Sequence, residues 1–124
     1  MANEIQASAS LSITSGGVSA SGSKSISVDL SGNSFYQGIQ SLSGTTREAV
    51  TVGPDITLGG FVLIINRSTT GTVTIHYDNQ SADATNTIAA LLPGEFTLFK
   101  PAAGATIYAT PSESLDISVT LTEL

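Results

Sequence analysis

The chain has 124 residues, 40% of them hydrophobic, which suits one folded domain with its own core and excludes a disordered segment. Only 11% are Asp, Glu, Lys or Arg, against about 25% in ordinary soluble domains, and the net charge is −6. The four basic residues, Lys24, Arg47, Arg67 and Lys100, are scattered singly, so no phosphate-binding patch forms and no nucleic-acid partner is expected. Cysteine is absent, which removes disulfides, thiolate nucleophiles and thiolate metal sites.

Met1-Ala2-Asn3-Glu4 lacks the basic start and long apolar run of a secretory signal. The longest apolar run, Phe61 to Ile65, is too short to span a bilayer. Folding in the cytoplasm, with no membrane partner, is the expectation. Ser, Thr, Gly and Asn take the polar positions that charges usually fill. Such a surface packs closely against neighbours, because few charges need desolvating.

In chain order, period-two alternation dominates, the mark of half-buried strands. Ile5, Ala7, Ala9, Leu11 and Ile13 alternate with Gln6, Ser8, Ser10 and Ser12, and Ser15-Gly16-Gly17 turns the chain. Residues 18–24 are small and polar and read as a flexible connection or an irregular edge. Ile26, Val28 and Leu30 resume the alternation. Phe35 to Leu42 reads as a strand, with a short helical turn as the alternative. Glu48 to Val52 is a short strand, ended by Gly53-Pro54-Asp55. Phe61 to Ile65 is continuously apolar and predicts a central strand covered on both faces. Val73, Ile75 and Tyr77 point inward, with Thr72, Thr74 and an exposed His76 outward.

Past the polar loop from Asp78 to Thr85, Ile88 to Leu92 is short and apolar. Pro93-Gly94 is a turn, and Phe96 to Phe99 and Thr106 to Ala109 are further strands. Leu115, Ile117, Val119 and Leu121 alternate with Asp116, Ser118, Thr120 and Thr122 in the clearest strand of all. About eight strands at this spacing predict an all-β fold, an antiparallel β-sandwich of jelly-roll-like kind. Residues 1–124 are read as one sandwich domain, with residues 1–24 as an extended N-terminal arm or an edge strand.

No catalytic, cofactor-binding or metal site is assigned, and no cofactor is expected. His76 and Asp78 share a strand face, and a hydrolase would need Ser68 or Ser81 beside them. An exposed strand histidine near a loop aspartate explains the pair without chemistry. Asp78, Asn79, Asp83 and Asn86 offer oxygen ligands for calcium but lack the EF-hand spacing, and Asx-rich loops commonly cap their own turns. Asn66-Arg67-Ser68 and Asn79-Gln80-Ser81 match the glycosylation triplet by chance if the chain is not secreted. Gly59-Gly60 precedes a strand, so it lacks the helix N-terminus of a phosphate loop. The ten acids are too dispersed to pair for glycoside chemistry. Phe61, Tyr77 and Phe96 fall on expected core positions.

The second half has a distinctive order. It runs Leu58-Gly59-Gly60-Phe61-Val62-Leu63-Ile64-Ile65-Asn66, Val73-Thr74-Ile75-His76-Tyr77, Leu92-Pro93-Gly94-Glu95-Phe96, Ile107-Tyr108-Ala109-Thr110 and Leu115-Asp116-Ile117-Ser118-Val119. Over residues 46–124 this resembles the small β-sandwich virion proteins of tailed bacteriophages, among them head decoration (cement) and head–tail accessory proteins. The resemblance implies a non-enzymatic structural protein in the virion, assembled in the host cytoplasm. Its implied partners are the major capsid protein or other virion proteins and further copies of itself, as a trimer. It transfers no functional residue. The alternative expectation is a carbohydrate- or receptor-binding β-sandwich module of a tail fibre or secreted protein.

Overall fold

The computed structural model describes residues 5–29, 35–51, 60–77, 87–102 and 105–123. Among these residues there are ten strands, against the roughly eight expected. They are β1 (Ile5–Ser15), β2 (Val18–Val28), β3 (Phe35–Leu42), β4 (Glu48–Ala49), β5 (Val62–Asn66), β6 (Val73–Tyr77), β7 (Thr87–Leu91), β8 (Phe96–Phe99), β9 (Ile107–Pro111) and β10 (Leu115–Thr122). The chain divides into two compact units, Met1–Ser31 and Gly32–Leu124.

The second unit holds two four-stranded antiparallel sheets, ordered β3-β10-β5-β8 and β4-β9-β6-β7. First pairs with last, second with second-last, and successive pairs fall in opposite sheets. This is one long hairpin rolled over itself, the topology of an eight-stranded jelly roll. The expected fold class therefore holds, and the remaining strands, β1 and β2, form a sheet of their own.

Both sheets feed one core. β5 contributes Val62 and Ile64, β10 contributes Leu115, Ile117, Val119 and Leu121, and β3 contributes Leu42. The facing sheet supplies Val73, Ile75, Leu91, Ile107 and Ala109. Every second residue of β10 is buried, so the alternation in its sequence is the inner face of an interior strand.

Two core expectations need correction. β5 lies between β10 and β8, yet only Val62, Ile64 and Asn66 are buried; Leu63 and Ile65 are half-buried. Their face is shaded by cross-strand neighbours, Leu98 and Thr120 beside Leu63, Phe96 and Ser118 beside Ile65. Phe96 was expected in the core but is 66% exposed. Register decides this. Thr97 and Phe99 stand opposite Ile64 and Val62 on the core face, which sends Phe96 outward with Ile65. Phe99 packs on the core instead, its ring edge-on to Tyr77 at 6.4 Å.

The first unit is a β-hairpin. Residues 18–24, expected to be irregular, belong to β2, paired with β1 along its full length from Ile5↔Val28 to Ser15↔Val18. Gly16 and Gly17 have φ of 57° and 81°, the two left-handed positions that a tight two-residue hairpin turn demands. One face carries Ile5, Ala7, Ala9, Leu11, Ile13, Ser15, Val18, Ala20, Gly22, Lys24, Ile26 and Val28. The other carries Gln6, Ser8, Ser10, Ser12, Thr14 and the serines at 19, 21, 23, 25 and 27. The alternation that predicts a half-buried strand does give a strand, but Leu11, Ile13, Val18 and Ile26 are exposed.

Candidate functional site

His76 lies on β6, on the face opposite Ile75, at an irregularity in the pairing with β7. Expected to be exposed, it is fully buried. Its Nε2 shares a 3.0 Å hydrogen bond with Thr110 Oγ1, and its ring stacks on Tyr108 at 6.1 Å. The Arg47 guanidinium lies 5.5 Å from the Tyr108 ring centroid. Nδ1 is buried and has no partner. A proton on Nε2 leaves Nδ1 as a bare lone pair, whereas a charged ring buries an N–H with no acceptor. Burial, and secondarily the positive charge of Arg47, accordingly hold the His76 pKa below 6.5. The ring is thus a neutral, packed side chain, hydrogen-bonded to a threonine.

Of the other hydrolase candidates only Ser68 lies among the described residues. Ser68 caps its own loop, its Oγ accepting from Thr70 N at 3.1 Å and Gly71 N at 2.8 Å. Asp78 and Ser81 lie outside the described residues, as do the calcium candidates Asp78, Asn79, Asp83 and Asn86 and the triplet Asn79-Gln80-Ser81. Among the described residues no three His, Asp, Glu or Cys side chains gather where they could hold a metal ion.

Asn66 is structural. Its side chain is buried, and Nδ2 donates to the carbonyls of Gly71 at 2.9 Å, Leu91 at 3.1 Å and Leu92 at 3.1 Å. Oδ1 accepts from Ser68 N at 3.0 Å. The amide that a glycan would occupy is therefore inside the fold. Gly60 is likewise structural: a Cβ there would run into the Thr122 carbonyl. The Leu92-Pro93-Gly94-Glu95 motif is a tight turn with Gly94 at φ 79° and Glu95 N donating to Leu92 O at 3.0 Å. Glu95 Oε2 also accepts from Leu92 N at 2.8 Å.

An open cleft of about 650 Å³ lies where the end of β3 meets the β5–β6 loop and the β9–β10 turn. Its polar lining includes Ser41, Ser43, Arg67, Ser68, Ser114 and Asp116. Ser41 Oγ donates to Asp116 Oδ1 at 2.7 Å, and Arg67 Nη1 donates to Ser118 Oγ at 3.1 Å. Sequence reading missed this grouping, because Ser41 and Asp116 are 75 positions apart and only the pairing of β3 with β10 joins them. No aromatic ring lines the cleft, so it offers hydrogen bonds without a stacking platform.

No family model and no curated protein matches the chain. Among solved structures it is similar to the Yersinia pseudotuberculosis-derived mitogen, at 14% identity and a TM-score of 0.43, over 73% of this chain and 86% of that one. A likeness at that level carries no argument about function.

Proposed function

We propose that this chain is a non-enzymatic structural protein of a bacteriophage virion, a decoration (cement) protein that coats the capsid in many copies, with the major capsid protein as its partner. The observation that carries this reading is the hairpin of β1 and β2. It sets an apolar face back to back with a face of serine, threonine and glutamine, and 11 paired residues run along each strand. Long faces of this kind suit adhesion, and many modest contacts repeated over a shell add through avidity. The outward residues of the jelly roll fit the same role: Ser118, Thr120 and Thr122 alternate with the core residues of β10. Antibodies against the chain, applied to intact particles of the phage that encodes it, test the proposal in the electron microscope. Dense labelling over the head supports it; particles without label contradict it.

The second reading, a carbohydrate- or receptor-binding module, has one observation in its favour. The open cleft is lined by hydroxyls with one guanidinium and one carboxylate, the chemistry that recognises polyhydroxylated ligands. Millimolar or tighter binding to one glycan on an array, lost in Asp116→Ala, would favour it.

A further inference from the structure

The apolar face of the hairpin has a pattern beyond its hydrophobicity. Directly opposed residues point to the same side, so each rung sets two side chains next to each other. From Ala7 to the turn the rungs are Ala7–Ile26, Ala9–Lys24, Leu11–Gly22, Ile13–Ala20 and Ser15–Val18. Each of these five joins a large side chain to a small one; at the open end Ile5 stands opposite Val28, two large residues, and Ile5 is already buried. The large member lies on β2 in the first two and the last, and on β1 in the two between.

We propose that this face pairs with the same face of a second copy of the chain about a two-fold axis running along the hairpin. Such an axis lays β1 of one copy over β2 of the other at the same level. Leu11 then faces Gly22 of the second copy, Ile13 faces Ala20, Ile26 faces Ala7 and Val18 faces Ser15. Over these five rungs each knob meets a hole, and the symmetry supplies every contact twice, as an isologous interface requires. Lys24, the one charge on the face, lies over Ala9 of the second copy, where its stem packs and its ammonium leaves at the rim. The two lysines fall on opposite sides of the axis and do not confront each other. A rotation of about 30° between the paired sheets, usual for stacked sheets, leaves the central rungs, at Ala9 and Leu11, in register.

Size agrees with this occupant. Eleven residues at about 3.4 Å each, two strands wide, give a pair a contact of about 1,000 Å² once side-chain relief is counted, near the lower bound for specific association. Leu11, Ile13, Val18 and Ile26 are 66, 55, 73 and 49% exposed, so each has area to lose on pairing. A two-stranded hairpin is marginal in water when uncovered, which gives the pairing a role in the hairpin's own stability.

The pairing stands independently of the virion reading, and its test uses the purified full chain alone. Sedimentation velocity from about 1 to 100 µM is expected to show the mass of two copies. Gly22→Leu places a side chain in the hole that Leu11 of the other copy fills. Within one chain nothing lies within 4 Å of a Cβ at Gly22, so the variant folds, which circular dichroism checks. Its dimer is expected to weaken at least tenfold. Adding Leu11→Gly exchanges knob and hole and restores the dimer, a rescue that a face packed against anything else would not give. Ser10→Ala with Ser12→Ala, on the opposite face, leaves the mass unchanged. A monomeric or trimeric wild type, an undiminished Gly22→Leu dimer, or failure of the exchange to rescue would each overturn the proposal.

Discussion

Asn66 and His76 are the two buried polar side chains of the described residues, and their situations are opposite. Asn66 is satisfied on both ends of its amide, and it ties the β5–β6 loop to the end of β7 and the turn that follows. Removing it leaves carbonyls without donors inside the fold. Asn66→Ala is expected to cost about 3 kcal/mol of stability, read as a lower urea midpoint with an unchanged slope. His76 has one nitrogen bonded and one bare. Its folded pKa lies below 6.5, so between 6.5 and that lowered value the unfolded chain binds more protons. The contribution of His76 is complete above 6.5 and is lost as pH falls through that window. Wild-type stability is expected to drop from pH 7.5 to 5, and His76→Gln to flatten that slope; equal slopes would show that His76 does not titrate there.

At the scale of elements, the strands were legible wherever alternation met a single covered face. β10 was read correctly because each of its apolar residues is on the core side of an interior strand. Phe96 was misread because a four-residue strand has too little alternation to show its own phase; its partner β5 sets it. The first part of β2, residues 18–24, is hard to read for a related reason. Serine, glycine and alanine have weak strand preference, and what makes residues 18–24 a strand is register with β1 across a two-glycine turn. The candidate sites were less legible still. Burial of His76 depends on Tyr108 and Thr110 from β9, and the polar cleft on strands distant in sequence. A paired measurement checks the phase of β8 and β10. Ile117→Ala is expected to cost about 3 kcal/mol as a core truncation, and Phe96→Ala less than about 0.5 kcal/mol as a surface change.

At the scale of the whole molecule, the composition acquires a physical reading. With 11% charged residues, the polar positions along β1, β2 and β10 are hydroxyls apart from Gln6, Lys24 and Asp116, and hydroxyls desolvate more cheaply than charges and hydrogen-bond to many kinds of neighbour. One unit is a jelly roll whose core holds its sheets together. The other is a hairpin whose apolar face exposes Leu11, Ile13, Val18 and Ile26, the residues of the self-pairing we propose. On the proposed reading, a protein arranged in this way acts through area and copy number. If the chain is the virion protein we propose, the measurement that bears most directly on that claim is quantitative mass spectrometry of purified particles of the phage whose genome carries its gene. A decoration protein is expected at a copy number comparable to that of the major capsid protein, on the order of hundreds per particle, as additive adhesion requires. Its absence from the particles, or a handful of copies per particle, would contradict the account.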